Sequence, residues 1–449
     1  MTKRYDVNRL ILECETRCRS QFEVAECIAL ANQKKVLDAF RGNKIALRHF
    51  SGSTGYAYGD SGRELLSRVF AGSFAAEDAI VSPLFGSGTH TISTALFGLL
   101  RPNDTVLSIS GRPYNTLTKV IDGGAGSLKE FGVSWINISL KDGEFDFAAI
   151  ESEIKKNKPA LVYIQRAKGY EFRRAFSVRK IKEAVLFVRK FTSAPVAVDN
   201  CYGEFVETQE PLRSIPLLNT SGEFDDNAEH NKSIAGIDGA NIIMGSLIKN
   251  PGGGFAPAGG YIAGDKALIK KIEGRYSAPG VGFDIGANPY GYQYYFQGLF
   301  MAPHIVLQAV KAALLFGEAF STLGYEVLGR ATEGLSGKQS KGDTKEATDN
   351  VPADITTAIK FNSSDQLVKF CRAVQYASPI DSYVTPYPSA MPGYNTEVIM
   401  ASGSFVQGSS VELSADAPLK EPYIAYMQGS LTYEHARIAL GEILEGFVK

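Results

Sequence analysis

A lysine at the inner end of an apolar run is the residue in this chain most in need of a chemical reason. Lys249 follows "ANIIMGSLI" and precedes "NPGGGFAPAGG". Lysine is among the residues least often buried. Desolvation lowers its pKa and leaves more free amine, which suits it to bonding a carbonyl carbon. A strand-end lysine that snorkels to solvent accounts for the position as well. Ser246 stands just before it, and flanking glycines let a ligand approach the backbone. Three other stretches raise similar questions. "PLFGSGTHT" (83–91) places Ser87, Gly88 and Thr89 at the start of a helix, where N–H groups favour a phosphate. An ordinary strand-to-helix turn with a threonine cap fits those residues equally. "ISGRPYNTL" (109–117) puts Tyr114 just past a strand, as a face for a flat ligand or as plain packing. "VAVDNCYGEF" (196–205) ends an apolar strand on Asp199. A carboxylate there needs a partner, unless Asp199 or Asn200 simply caps the following turn.

The elements that must position these residues alternate. Short apolar strands are expected at 78–83, 104–110, 133–140, 159–167 and 194–203. Helical patterns lie between them, and "ANIIMGSLIK" and "GGYIAG" read as two further strands. Near-continuous apolar strands alternating with helices imply an α/β fold whose mainly parallel sheet is covered on both faces. Ligands bind such sheets at the carboxyl ends of the strands. An uninterrupted helical pattern over 8–40 reads as an N-terminal arm, giving units of 1–60, 61–324 and 325–449. The apolar helix over 290–324 would join the large unit to a smaller C-terminal α/β domain. Polar segments at 218–233 and 334–352 read as exposed loops.

The totals narrow the function classes. Net charge is −1 over 449 residues and no basic cluster stands out, which argues against nucleic acid or an anionic membrane as partner. No signal peptide and no apolar run of membrane-spanning length are evident. Five cysteines, an odd and small number, suit a reduced cytoplasmic setting. Cys14 and Cys18 lack the companions of a metal site, so structural thiols are expected and no metal. "GSGTH" lacks the lysine of a P-loop and does not complete a dinucleotide fingerprint. Taken in order along one sheet edge, the stretches supply a phosphate cradle, an aromatic face, a carboxylate and an amine. Pyridoxal phosphate (PLP) needs that set.

"VDNCYGEF", "GSLIKNPGGGFAPAGGYIAG" and "GSFVQGSSVELSADAPLKEPY" (403–423) resemble the aluminium-resistance protein family. That family is related to methionine gamma-lyase and to the cystathionine-type lyases among fold-type I PLP enzymes of Cys/Met metabolism. The resemblance implies a carbon–sulfur lyase that expels a thiol from a sulfur-containing amino acid. It makes Lys249 the Schiff-base lysine and Asp199 the partner of the pyridine nitrogen. Ser87, Gly88, Thr89 and Ser246 would hold the phosphate, and Tyr114 would stack on the ring and assist the leaving group. It also implies a homodimer or homotetramer in which a neighbouring copy lends a tyrosine and an arginine, for which Tyr56, Tyr58 and Arg63 stand here. Two features depart from the family. Where the lyases carry a carboxylate-binding arginine, this chain reads "VELSADAP", so Arg166 is assigned to the substrate carboxylate, with Arg173 and Arg174 behind it. The 218–233 segment also spaces Asp199 and Lys249 more widely. Replacement or transamination chemistry with the same cofactor, and a non-catalytic stress-response protein on the same fold, stay open.

Overall fold

The structure, a computed structural model, describes residues 6–214, 236–329, 352–391 and 394–448. The segments expected as loops at 218–233 and 334–352 fall outside the described residues, Pro352 excepted. Helix α1 (Val7–Gly42) starts at Asp6, whose carboxylate accepts the N–H groups of Asn8 and Arg9. Its buried residues, among them Leu10, Cys14, Cys18, Ala25 and Ile28, recur every three or four positions, which is the period of one helix face.

The first sheet takes seven strands: β1 (Asp78–Ser82), β2 (Thr105–Ser108), β3 (Ser134–Asn137), β4 (Leu161–Gln165), β5 (Val196–Asp199), β6 (Ile242–Ser246) and β7 (Gly260–Gly264). Their spatial order is β1-β7-β6-β5-β4-β2-β3. Strands β2 to β6 pair in parallel, and β7 alone runs antiparallel to both of its neighbours. Every residue of β4, β5 and β6 is buried. Val162, Ile164 and Val198 face one apolar cluster while Leu161, Tyr163 and Ala197 face another. The alternation shows why these strands read as unbroken apolar runs. Helices α2 (Ser61–Phe74), α3 (Gly88–Leu99), α4 (Asn115–Asp122), α5 (Phe147–Asn157), α6 (Val178–Arg189) and α7 (Lys266–Glu273) cover the faces.

Helix α8 (Gln293–Thr322) then leads to the second sheet. Phe296, Leu299 and Val306 lie in the core of the first sheet, and Leu315, Phe316 and Phe320 in that of the second. Helix α1 packs along α8 and likewise contributes to both cores. An apolar stretch of membrane-spanning length is therefore present after all: α8 has 30 residues, and its most apolar window reaches a mean hydropathy of 1.7. That window is 72% buried inside the protein, which accounts for its composition by packing between two sheets. The second sheet is antiparallel throughout, with strands β8 (Glu326–Leu328), β9 (Thr356–Phe361), β10 (Val398–Ser402), β11 (Ser414–Pro418) and β12 (Tyr423–Gln428). Its order is β10-β11-β12-β9-β8, backed by α9 (Ser364–Tyr376) and α10 (Tyr433–Glu445).

Candidate active site

The parallel pairing brings the carboxyl ends of β4, β5 and β6 side by side, with Gln165 opposite Asp199 and Asp199 opposite Met244. A cavity of about 330 Å³ opens there. Gly88, Thr89, Tyr114, Asp199, Ser246 and Lys249 all line it. The structure thus gathers most of the residues singled out from the sequence. Ser87 is the exception among the phosphate residues. It is the N-cap of α3, where its hydroxyl accepts the N–H of His90 at 3.0 Å, and it does not line the cavity. The cap is thus this serine and not the expected threonine. Thr89 instead shares a 2.9 Å hydrogen bond with Thr116 of α4.

Lys249 lies three residues beyond β6, at the start of a short 3-10 turn over Asn250–Gly252. Its Nζ sits 4.1 Å from the ring centroid of Tyr202. Burial lowers its pKa, its titratable neighbours Cys201, Tyr202, Asp199 and Glu204 raise it, and the net direction is above the ordinary lysine value. The expected depression is therefore reversed: the sequence shows the apolar strand but not the acidic loop folded against its end. Burial also raises the Asp199 carboxyl, while Lys249 and the N–H of Cys201, donating to Oδ1 at 3.2 Å, pull it down. Tyr163 donates to Asp199 Oδ2 at 3.4 Å. Ser246 Oγ is buried without a hydrogen-bond partner among the described residues. It lies beside the first turn of α3, whose leading N–H groups have no partner within the helix. An acceptor-rich group such as a phosphate satisfies both.

Tyr114 is the N-cap residue of α4, and its N–H donates to Gln165 Oε1 at 2.6 Å. Its hydroxyl bonds that of Tyr394 at 2.5 Å and meets that of Tyr170 at 3.4 Å. Burial, with Tyr202, Asp416 and Tyr394 nearby, pushes its pKa well up, so the phenol keeps its proton.

Arg166 cannot bind a substrate in this arrangement. It is 0% exposed and does not line the cavity. Its guanidinium donates to Asn200 Oδ1 at 2.8 Å and to Phe176 O at 3.3 Å, and it pairs with Glu207 and Glu210. Arg173 is buried against Glu171 and Ala167 O, and neither it nor Arg174 lines the cavity. Arg63 and Tyr58 also lie away from the cavity of their own chain. Arg63 is buried and donates to Asp284 O, Gly286 O and Ala57 O, while its Nε has no hydrogen-bond partner among the described residues. Tyr56 and Tyr58 are exposed and stack on each other at 5.6 Å.

Several residues of the site were missed from the sequence. Gln165 orients Tyr114, and Tyr202 supports Lys249 from a left-handed backbone conformation (φ +72°), which a tyrosine seldom adopts. Lys168 lines the cavity, but its Nζ is held by both oxygens of Asp354 and by Thr356 O. From the second sheet come Ser402, Asp416, Tyr426 and Gln428. The stretch noted for its missing arginine in fact carries Asp416 into the cavity, and only the tertiary fold shows this.

The chain matches the methionine gamma-lyase family over residues 7–218 and 214–448. It is 39% identical to the uncharacterized protein YnbB of Bacillus subtilis, covering 99% of this chain and 97% of that one. A solved structure described as a carbon-sulfur lyase involved in aluminum resistance, from Clostridium novyi, is 40% identical, with a TM-score of 0.84 over 98% of this chain and 96% of that one. The pyridoxal-5'-phosphate dependent protein YhfS of Escherichia coli, 16% identical, shares the fold at a TM-score of 0.56 over 95% and 97% of the two chains. With both its halves matched and its α/β architecture shared with fold-type I enzymes, this chain belongs to the methionine gamma-lyase family.

Proposed function

We propose that the chain is a PLP-dependent carbon–sulfur lyase that expels a thiol from a sulfur-containing amino acid. The observation that carries this reading is the meeting, in one cavity, of an amine, a buried carboxyl and an unpartnered hydroxyl at a helix start. The residues fit the cofactor. A Cβ at Gly88 would come within 3.1 Å of Ser246 Cβ, so the glycine keeps open the space beside Ser246 Oγ. Gly88, Thr89 and Ser246 would hold the phosphate, Asp199 the ring nitrogen, Lys249 the aldehyde carbon and Tyr114 the ring face. When bound, the cofactor draws electrons away from the substrate's α-carbon. Lys249 Nζ is the group placed to move the α-proton. Tyr114 keeps its phenolic proton and can give it to the departing sulfur, with Tyr394 and Tyr170 holding the hydroxyl in place.

Thiol and keto-acid release from a panel of S-substituted cysteines and homocysteines tests this reading and separates β from γ elimination. The two products should appear in equal amounts. Keto acid without thiol would support transamination, and neither product would support a non-catalytic protein. The exposed pair Tyr56 and Tyr58 supports a homodimer or homotetramer in which Tyr58 serves a second copy's site. Sedimentation showing a monomer would contradict that. The five free thiols support a reducing, cytoplasmic setting.

A further inference from the structure

The cavity carries a carboxyl that the chemistry above does not use. Asp416, on β11, faces it from the second sheet, between the neighbouring strands that supply Met400 and Tyr426. One hydrogen bond reaches it, from Gln428 Nε2 at 3.3 Å, and Lys249 draws its pKa down from a distance, but no lysine or arginine among the described residues lies within ion-pair reach of it. The described residues lining the cavity include two cations, both committed elsewhere. Lys168 is held by Asp354, and Lys249 lies over Tyr202. No arginine among the described residues lines it. Around Asp416 the lining is aromatic: Tyr114, Tyr170 and Tyr426 share the cavity, with Tyr170 at 5.6 Å from the Tyr114 ring and 5.2 Å from that of Tyr426.

A carboxylate without an ion-pair partner, set beside aromatic faces, repels an anion and attracts an ammonium, through a charge-assisted hydrogen bond and the ring quadrupoles together. Resting on the lyase reading above, we propose that Asp416 selects substrates whose end remote from the reacting α-carbon carries a primary ammonium. The remaining second-sheet lining, Thr356, Ser402, Ser414 and Gln428, is neutral and polar and supplies no competing cation.

The test uses two isosteres, S-(2-aminoethyl)-L-cysteine and S-propyl-L-cysteine, titrated into the full-length, cofactor-loaded protein while its absorbance is followed. At about pH 8 the Asp416 carboxyl is ionised, since burial lifts its pKa only to about 6. The aminoethyl compound should bind at least about tenfold more tightly. In Asp416→Asn the two affinities should come within about twofold while the cofactor absorbance is retained. Equal affinities in the unmutated protein would overturn the proposal, as they would if an arginine from a second copy neutralises Asp416. An unchanged ratio in Asp416→Asn would overturn it too. If the unmutated protein shows no cofactor absorbance at all, the lyase reading falls first and this one with it.

Discussion

Gln165 and Arg166 are neighbours in sequence at the end of β4, and they serve opposite faces of the sheet. Gln165 lines the cavity and fixes Tyr114, whereas Arg166 is sunk among Asn200, Glu207 and Glu210. Successive side chains on a strand alternate between faces. Because β4 is apolar on both, the sequence carries no sign of which face holds the site, and that is why Arg166 was assigned wrongly. Arg166→Met should leave two carboxylates without their cation and cost about 3–5 kcal/mol of stability in urea denaturation. Its folded fraction should keep the unmutated KM. A raised KM without loss of stability would restore the carboxylate role. Asp416 shows the opposite case, a residue invisible as a site member until the second sheet packs. Its carboxyl is lifted from an ordinary 3.8 to about 6 by burial, so folding favours its protonated form. That stabilisation is complete below the unfolded pKa and is lost as pH rises through about 6. Asp416→Asn should therefore be roughly 1–3 kcal/mol more stable than the unmutated protein at about pH 7.5, with the difference closing below about pH 4. Thermal melts across that range would check it.

The turn that carries Lys249 is fixed by close backbone packing against a helix distant in sequence. A Cβ on Gly252 would come within 1.7 Å of Leu247 O, and one on Gly298 of α8 would come within 2.3 Å of Gly252 O. The glycine run after Lys249 was read as room for a ligand. The structure adds a second use, since α8 lies directly against it. Replacing a helix-interior glycine by alanine ordinarily stabilises by about 0.5–1 kcal/mol. Gly298→Ala should do the reverse, losing on the order of 1–3 kcal/mol by overpacking and weakening cofactor retention as the Lys249 turn shifts. A urea midpoint at or above that of the unmutated protein would show that the contact relaxes without cost. By contrast, α3 and the strand ends were legible from the outset. Buried parallel strands are apolar throughout, and the polar residues that interrupt them at their carboxyl ends stand out.

At the scale of the molecule, the cavity belongs to neither sheet alone. The first sheet delivers Asp199, Ser246 and Lys249 from strand ends, and the second closes the space with Asp416, Tyr426 and Gln428. Helices α1 and α8 run through both cores and set the two sheets against each other. Alternation of strands and helices was enough to place the first set. The second set depends on how the two sheets pack, which no local pattern encodes. The acidic surroundings of Lys249 belong with this second kind of information, because the loop bearing Cys201, Tyr202 and Glu204 meets the lysine only in the folded chain. On the proposed reading this lysine, and no other, holds PLP. Borohydride reduction of the cofactor-loaded protein, followed by digestion and peptide mapping, tests it most directly. One modified peptide containing Lys249 is expected, and none from Lys249→Ala; a label on Lys168 or any other lysine, or no label in the unmutated protein, would overturn that assignment.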